Sequence, residues 1–230
     1  VDICISCGSE KGDNYIGDIY RIRIVSKLNN CDLLSVILKT NTPNDASKAT
    51  VPLPDFYERE ATLYNMILPV FEKFQKDYNI SNQVFFKHAK CYKASNEFLL
   101  LEDLSVKGFK MHNRFDAFDE NHLQLALSSL ARYHAISFAM KEKQPKTYIK
   151  LTKLVEKSVL VDFFHPMLEG ITAKTISFMK DETVIEKLKN FSVDIVSKFY
   201  SFIDSSTAHP YNVICHGDCW NNNLLFKYEV

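Results

Sequence analysis

The segment from Ile214 to Phe226 carries the residues best suited to chemistry. His216 lies two residues before Asp218, and Asn223 lies five residues after it, between two short apolar runs. Transfer of a phosphoryl group needs a carboxylate that orients and deprotonates an attacking hydroxyl. It also needs a neutral oxygen ligand that holds Mg²⁺ without adding negative charge. Asp218 and Asn223 have the residue types for these two roles.

Two other interpretations of the same segment stay open at this point. The first is a polar turn, because asparagine tolerates left-handed backbone angles and is common in loops. The second is a metal cluster of His209, Cys215, His216, Asp218 and Cys219. Zinc ligands usually come in closely spaced pairs, and the cysteine spacing meets that rule only marginally.

Lys39 is the next candidate, because it ends the apolar run that begins at Ser35 and shares a strand face with Ile37. A cation at the end of a buried strand is unfavourable unless it finds an anion. Glu60 is a candidate partner, since it recurs at helical spacing with Phe56 and Leu63. In kinases, a strand lysine that is paired with a helix glutamate holds the nucleotide phosphates. The ordinary alternatives are a charge at a strand edge and a member of a solvated charged run.

Gly12, Asn14 and Gly17 belong to a short loop before the first alternating strand. Small residues let backbone N–H groups approach phosphate, so this loop is a candidate phosphate cover. It is not a Walker A loop, because Asp18 and Ile19 stand where that motif has Lys and Ser or Thr. A plain hairpin turn explains the two glycines equally well.

The apolar run from Phe98 to Leu101 closes on two acids, Glu102 and Asp103. Such a run predicts a buried strand, and its acids are suited to capping whatever follows. His134 lies at helical spacing with apolar residues, which favours a histidine of the core over a ligand.

Together these segments resemble the insect ecdysteroid kinase-like family, within the aminoglycoside and choline kinase group of protein-kinase-like folds. The catalytic-loop string is His216-Gly217-Asp218-x-Trp220-x-x-Asn223, in which Asp and Asn have the spacing of the protein-kinase catalytic loop. The helix string is Phe56-Tyr57-Glu58-Arg59-Glu60, with Tyr64 and Pro69 beyond it. The resemblance extends from Gly12 to Tyr228.

The resemblance implies a role for each candidate residue and implies ATP and Mg²⁺ as cofactors. Asp218, with His216, would serve catalysis, and Asn223 would bind Mg²⁺. Lys39 and Glu60, the loop residues Gly12, Asn14 and Gly17, and the hinge residues Glu102 and Leu104 would bind the nucleotide. The second acidic Mg²⁺ ligand of kinases follows the catalytic loop. The sequence stops at Val230 before one appears, so we expect a fragment that lacks part of its active site.

The elements that must position these residues change character once along the chain. Alternating or apolar runs predict strands at Asp18–Ser26, Leu33–Lys39, Gln83–Tyr92, Glu97–Leu101, Tyr211–Cys215 and Leu224–Tyr228. Helices are predicted from Pro54 until Pro69 kinks or ends the first, then in 116–141, 148–157, 172–190 and 191–204. The buried face of the helix in 116–141 is predicted to carry Leu123, Ala126, Leu127, Leu130 and His134.

This order predicts an α+β protein with a protein-kinase-like, two-lobed fold. Residues 1–103 form the nucleotide-binding N-lobe, an antiparallel sheet with one helix. Residues 104–230 form a helical C-lobe that holds the catalytic loop and is truncated at its C-terminus. A crevice is expected between the two lobes.

Composition narrows the class of partner. The 28 basic residues equal the 28 acidic residues, and no basic cluster of the kind that binds nucleic acid or anionic lipid is present. No apolar run approaches the roughly 18 residues of a membrane span. Six dispersed cysteines fit reduced thiols in a cytoplasmic protein better than a disulfide framework. We therefore expect neither nucleic acid nor membrane nor an obligate protein partner, and a small-molecule hydroxyl as acceptor.

One function is favoured over three alternatives. A small-molecule kinase is favoured, with an ecdysteroid as the acceptor that the resemblance implies. A choline- or aminoglycoside-type kinase would need acidic or aromatic residues to hold a cationic acceptor. A non-catalytic nucleotide- or ligand-binding pseudokinase would follow if the natural chain stopped at Val230. A hydrolase is disfavoured, because the sequence has no Gly-x-Ser-x-Gly motif.

Overall fold

The computed structural model describes residues 1–9, 17–28, 31–40, 53–155, 161–204, 206 and 209–228. The chain divides into two compact units, one of Val1–Val155 with Ile214–Val230 and one of Glu156–Val213. The lobe boundary predicted between residues 103 and 104 falls inside the first unit and stays a prediction.

Five strands of the first unit form one antiparallel sheet. They are β1 (Asp2–Cys7), β2 (Asp18–Val25), β3 (Asp32–Thr40), β4 (Cys91–Ala94) and β5 (Phe98–Glu102), in the spatial order β1-β2-β3-β5-β4. Side chains alternate between the faces of a sheet, and Leu99 and Leu101 of β5 are buried against Tyr57. The α+β class with an antiparallel sheet is confirmed, and it fits a kinase-like fold.

The predicted helix after Pro54 is present, but it does not end at Pro69. It comprises α1 (Leu53–Thr62), a π-helical turn (Leu63–Ile67) and α2 (Leu68–Asp77). In the π-helical turn, the Leu68 N–H bonds to the carbonyl of Leu63 instead of the carbonyl four residues back. In a regular α-helix a proline ring clashes with the carbonyl four residues before it, which for Pro69 is that of Asn65, and the wider π-helical turn relieves this clash.

Strand β4 is shorter than predicted, because it begins only at Cys91. Before it, the Lys90 carbonyl still accepts a hydrogen bond from Glu102 N of β5 at 2.8 Å. Further back, the backbone of Phe86 pairs with the buried side chain of Gln75 in α2 instead of with a strand. Its Oε1 accepts a hydrogen bond from Phe86 N at 2.6 Å, and its Nε2 donates to Phe86 O at 3.3 Å. The turn between β4 and β5 lies at residues 95–97.

The helix predicted in 116–141 is α3 (Glu120–Lys143), and α4 (Pro145–Val155) follows it. Its start is set by Asp119, whose side chain accepts a hydrogen bond from His122 N.

The buried face predicted for α3 is wrong, because the core lies against its C-terminal half. The buried residues of α3 are Tyr133, Ile136, Ser137 and Met140. They pack with α2 and α4 around Phe71 and Leu151, whereas Leu123 and Leu127 are exposed. His134 is half-buried rather than in the core, and its ring centroid lies 5.8 Å from that of Tyr133. Burial lowers the pKa of His134.

A small second sheet contains β6 (Phe109–Met111) and β7 (Leu225–Lys227), which pair antiparallel. Strand β7 matches the strand predicted at 224–228. The strand predicted at 211–215 is absent, since Ile214 is buried and its N–H bonds to Ser137 Oγ at 3.2 Å instead of to another strand.

The second unit contains α5 (Val161–Phe178), α6 (Glu182–Ser192) and α7 (Ile195–Ile203). The single helix predicted at 172–190 is therefore two helices. They separate at Asp181, whose carboxylate accepts hydrogen bonds from Thr183 N and Val184 N and so caps the start of α6.

Two further predictions from the sequence concern disulfides and membrane spans. None of the six cysteines, all of which lie among the described residues, forms a disulfide. Within the described ranges, every helix is too short or too polar to cross a membrane.

Candidate active site

Lys39 and Glu60 form the ion pair that the sequence predicts. Lys39 lies one residue before the end of β3 and opposite Leu99 of β5, and Glu60 projects from α1. The Lys39 ammonium lies 2.7 Å from Glu60 Oε1 and 2.8 Å from Oε2, so it bridges both carboxylate oxygens. The two side chains are 21% and 30% exposed, which leaves the pair partly open to a ligand.

Gly17 directly precedes β2 and lies against Thr40, the residue that follows Lys39. Its φ of +97° falls in the left-handed region that favours glycine. A side chain at this position would also clash with the Tyr57 hydroxyl, and its Cβ would lie 2.5 Å from the Thr40 carbonyl oxygen. Both the backbone angle and the space therefore require glycine here. The other two predicted loop residues, Gly12 and Asn14, lie outside the described residues.

Glu102 and Leu104 flank the junction where β5 ends and a 3₁₀ helix (Leu104–Lys107) begins. The Glu102 carboxylate contacts Lys107 Nζ at 2.5 Å and accepts a hydrogen bond from Lys90 N at 3.2 Å. The hydrogen bond from Lys107 is the largest influence on Glu102 and holds its pKa below the usual value. Adenine recognition at this junction stays a prediction.

Asp103 was missed as a site residue, although it fixes this junction to the sheet. Its side chain is 2% exposed and accepts hydrogen bonds from Arg21 Nε at 2.8 Å and Ser35 Oγ at 2.7 Å. It also accepts from Ser105 N and Ser105 Oγ, which caps the 3₁₀ helix as expected. Burial raises the pKa of Asp103, but the hydrogen bonds outweigh that effect and the pKa lies below its ordinary value.

The segment around Asp218 folds into a tight turn. Gly217 has a φ of +83°, and the Asp218 N–H donates to His216 Nδ1 at 3.2 Å. A single 3₁₀ turn (Asn221–Asn223) then returns Asn223 towards Asp218. Asn223 Nδ2 donates to Asp218 O and to Asp218 Oδ2, both at 2.8 Å. The turn therefore brings all three predicted residues of this segment together.

This turn is anchored on both sides. Before it, the buried Ile214 bonds to Ser137 of α3. Within it, Asn221 Nδ2 donates to His112 O at 3.1 Å. After it, Phe226 of β7 is buried and packs edge-on against Phe118, with ring centroids 5.6 Å apart. These anchors define the turn while the Asp218 side chain stays exposed.

The donor set at this turn fits Mg²⁺ better than zinc. A carboxylate and an amide are hard oxygen ligands of the kind that Mg²⁺ binds. Because Asn223 uses Nδ2 to contact Asp218, its Oδ1 remains as a ligand atom for a cation. In the described part of the chain, no three His, Cys, Asp or Glu side chains are grouped as a metal cluster, so the zinc interpretation has no support.

The structure thus forms two groups, Lys39 with Glu60 and Asp218 with His216 and Asn223. Among the described residues, no hydrogen bond or ion pair joins the two groups. Cavities of about 440 Å³ beside Tyr200 and about 290 Å³ beside Arg23 lie elsewhere. The predicted crevice between two lobes stays a prediction.

The family of the chain follows from a match to a protein-family model. A family model described as the ecdysteroid kinase-like family matches residues 11–230. The chain belongs to the ecdysteroid kinase-like family. Neither the curated proteins nor the solved structures contain a match. Membership in this family implies a kinase-like phosphotransferase, and kinase-like proteins generally use ATP and Mg²⁺.

Both groups of candidate site residues lie within the part of the chain that the family model matches. The match spans Lys39, Glu60 and the whole Asp218 turn, so one family pattern contains both. It also contains Asp103 and Tyr57, which sequence reasoning did not select as site residues. The only signal for Asp103 was its place directly after a buried strand, and Tyr57 stood inside the helix string without a role of its own.

Proposed function

We propose that this protein is a small-molecule kinase that transfers the γ-phosphoryl group of ATP to a hydroxyl of a small metabolite, with an ecdysteroid as the candidate acceptor. The contact between Asn223 and Asp218 carries this proposal, because it places a carboxylate beside a neutral oxygen ligand in a turn of fixed shape. The Lys39–Glu60 pair supports it independently, since it offers a fixed cation to phosphate.

Each residue has a role in one displacement. Asp218 accepts the proton of the acceptor hydroxyl, the acceptor oxygen bonds to the γ-phosphorus, and the bond from that phosphorus to the bridging oxygen of ADP breaks. Asp218 is suited to this role because it is exposed and keeps one carboxylate oxygen clear of Asn223. His216 holds the turn by accepting a hydrogen bond from the Asp218 N–H.

Lys39 would hold the α- and β-phosphates while Glu60 keeps the ammonium in place. Asn223, with Asp218 beside it, would hold Mg²⁺, which neutralises the charge of the phosphates when bound. The backbone around Glu102 and Leu104 would bind adenine, and Gly12, Asn14 and Gly17 would cover the phosphates. We place the protein in the cytoplasm, with a small-molecule acceptor and no required nucleic acid, membrane or protein partner.

The test is ADP release with Mg²⁺-ATP and, in separate reactions, an ecdysteroid, choline or an aminoglycoside, with the product identified by mass spectrometry. Asp218→Asn should lower kcat by roughly 100-fold or more, because it removes the base, and should leave ATP binding intact. Asp77→Asn is the matched control, since Asp77 is an exposed acid of α2 that pairs with Lys73.

The outcomes separate the possibilities. Turnover with the ecdysteroid supports the full proposal, and turnover with choline or an aminoglycoside replaces the acceptor. ATP binding without turnover would instead identify a non-catalytic nucleotide-binding protein. Undiminished turnover in Asp218→Asn would refute the assignment of Asp218 as base.

A further inference from the structure

Tyr57 of α1 carries a buried hydroxyl that the proposed mechanism does not use. The residue is 3% exposed, and within the described part of the chain its hydroxyl has no hydrogen-bond partner. A buried donor without a partner is unfavourable for folding, and most buried hydroxyls are paired. This hydroxyl therefore needs a hydrogen-bond acceptor, and the described residues do not provide one.

The position of the hydroxyl indicates what that partner is. It lies against the Cα of Gly17, at the point where β2 begins, and near the Thr40 carbonyl without bonding to it. Tyr57 also precedes Glu60 by about one helical turn, so its side chain projects from the same side of α1 as the glutamate that holds Lys39. The Tyr57 hydroxyl thus lies at the same end of β3 as Lys39, the predicted phosphate-binding lysine.

The protonation state of Tyr57 suits a donor. Burial, followed by the nearby Glu60 and Asp18 carboxylates, raises the pKa of the Tyr57 hydroxyl. The hydroxyl therefore keeps its proton throughout the neutral range. A neutral donor can bond to a phosphate oxygen without changing the charge of the site, and hydrogen bonds to ionised oxygens are stronger than neutral ones.

We propose that Tyr57 is a nucleotide-binding residue whose hydroxyl donates a hydrogen bond to a phosphate oxygen of ATP beside Gly17. This inference rests on the proposed function, since it requires ATP as the ligand. It adds a residue to the site and assigns it to the phosphate chain rather than to adenine or to the acceptor.

Tyr133 offers a matched control within the same unit. It is also 3% exposed, its hydroxyl also lacks a partner among the described residues, and burial also raises its pKa. However, it lies in the core formed by α2 and α3, beside Phe71 and Phe86. Tyr57→Phe and Tyr133→Phe therefore remove the same kind of atom from two different places.

The experiment measures the dissociation constants of ATP, ADP and adenosine for the wild-type protein and the two variants by isothermal titration calorimetry. Tyr57→Phe should weaken ATP and ADP binding roughly tenfold, which is the loss of one charge-assisted hydrogen bond. It should leave adenosine binding unchanged. Tyr133→Phe should bind all three ligands as the wild type does.

Several results would overturn the inference. They are unchanged ATP binding in Tyr57→Phe, an equal loss for adenosine, and an equal loss in Tyr133→Phe. Replacement of Tyr57 by 3-fluorotyrosine gives a second measurement in a protein that retains the hydroxyl. Its ¹⁹F resonance should shift with ATP and ADP but not with adenosine, and the absence of a shift with ATP also counts against the proposal.

The same titrations separate this inference from the function on which it rests. If neither the wild-type protein nor Lys39→Ala binds ATP, both the proposed function and this inference are overturned. ATP binding that depends on Lys39 but not on Tyr57 overturns this inference alone.

Discussion

Replacing Asp103 by asparagine should destabilise the first unit strongly, because the carboxylate is the meeting point of several donors. Asp103 Oδ2 accepts hydrogen bonds from Arg21 Nε at 2.8 Å and Ser35 Oγ at 2.7 Å. Oδ1 accepts from Ser105 Oγ at 2.6 Å and Ser105 N at 3.1 Å. An asparagine that keeps its oxygen towards Ser105 must direct its amide N–H groups at the donor of Arg21.

The size of the effect follows from burial and charge. Removing one partner of a buried ion pair costs about 3–5 kcal/mol, and a hydrogen bond to a charged group contributes about 1.5–3 kcal/mol. Arg21 is 32% exposed and recovers part of its hydration, which places the expected loss near the lower limit. We expect Asp103→Asn to lower the free energy of unfolding by about 3 kcal/mol.

The pH dependence gives a second, independent signature. The pKa of Asp103 in the folded protein lies below its ordinary value of 3.8. A carboxyl with a depressed folded pKa contributes stability that is fully present above the unfolded pKa and is lost as the pH falls through the folded pKa. The difference between wild type and Asp103→Asn should therefore be constant from neutral pH down to about pH 5 and shrink below about pH 4.

Urea unfolding followed by circular dichroism measures both quantities. Glu102→Gln is the control, because Glu102 is the neighbouring acid and its partner Lys107 is 60% exposed. That variant should lose less than about 1 kcal/mol. If Asp103→Asn loses no more than Glu102→Gln, or if its loss is the same at pH 7 and below pH 4, the reasoning is wrong.

Three further variants test the remaining contacts. Lys39→Ala should weaken ATP binding roughly 10- to 100-fold by titration calorimetry, since it removes a charged donor to the phosphates; unchanged binding would contradict its role. Glu60→Gln should lower kcat/KM less than Lys39→Ala does, because the ammonium stays but loses its ionic anchor, and an effect larger than that of Lys39→Ala would argue against the pairing. Gln75→Leu should lower the free energy of unfolding by about 2–4 kcal/mol, because the Phe86 N–H and C=O lose their partner. If urea unfolding shows a smaller loss than for Glu102→Gln, water replaces the glutamine as that partner.

The local patterns of the sequence predicted those parts of the structure that local physics determines. Alternation identified β2, an apolar run identified β3, and helical spacing placed Glu60 on the side of α1 that faces Lys39. That contact joins residues 21 positions apart, and it was predictable because a buried cation needs an anion. The short strand β7 after the turn was likewise visible as an apolar run bounded by polar residues.

The predictions failed where distant elements decide the outcome. The spacing of Leu123, Leu127 and Leu130 indicates a buried face, but α2 and α4 pack against the other half of α3. Residues 83–90 look extended, yet Gln75 rather than a strand satisfies Phe86. No local pattern reveals such side-chain substitutes for a strand, because they depend on which helix packs against the segment.

Burial and hydrogen-bond partners distinguish Asp103, an acid with a structural role, from Asp218, the proposed base. Asp103 is almost fully buried, and both of its carboxylate oxygens accept hydrogen bonds. These bonds connect β2, β3 and the junction after β5. Asp218 is exposed, and the Asn223 amide contacts one of its two carboxylate oxygens. A base must both meet its substrate and accept a proton, which a fully bonded buried carboxylate cannot do without losing its partners. The same criterion explains why Glu60, held to Lys39 by both oxygens, is suited to positioning a cation rather than to proton transfer.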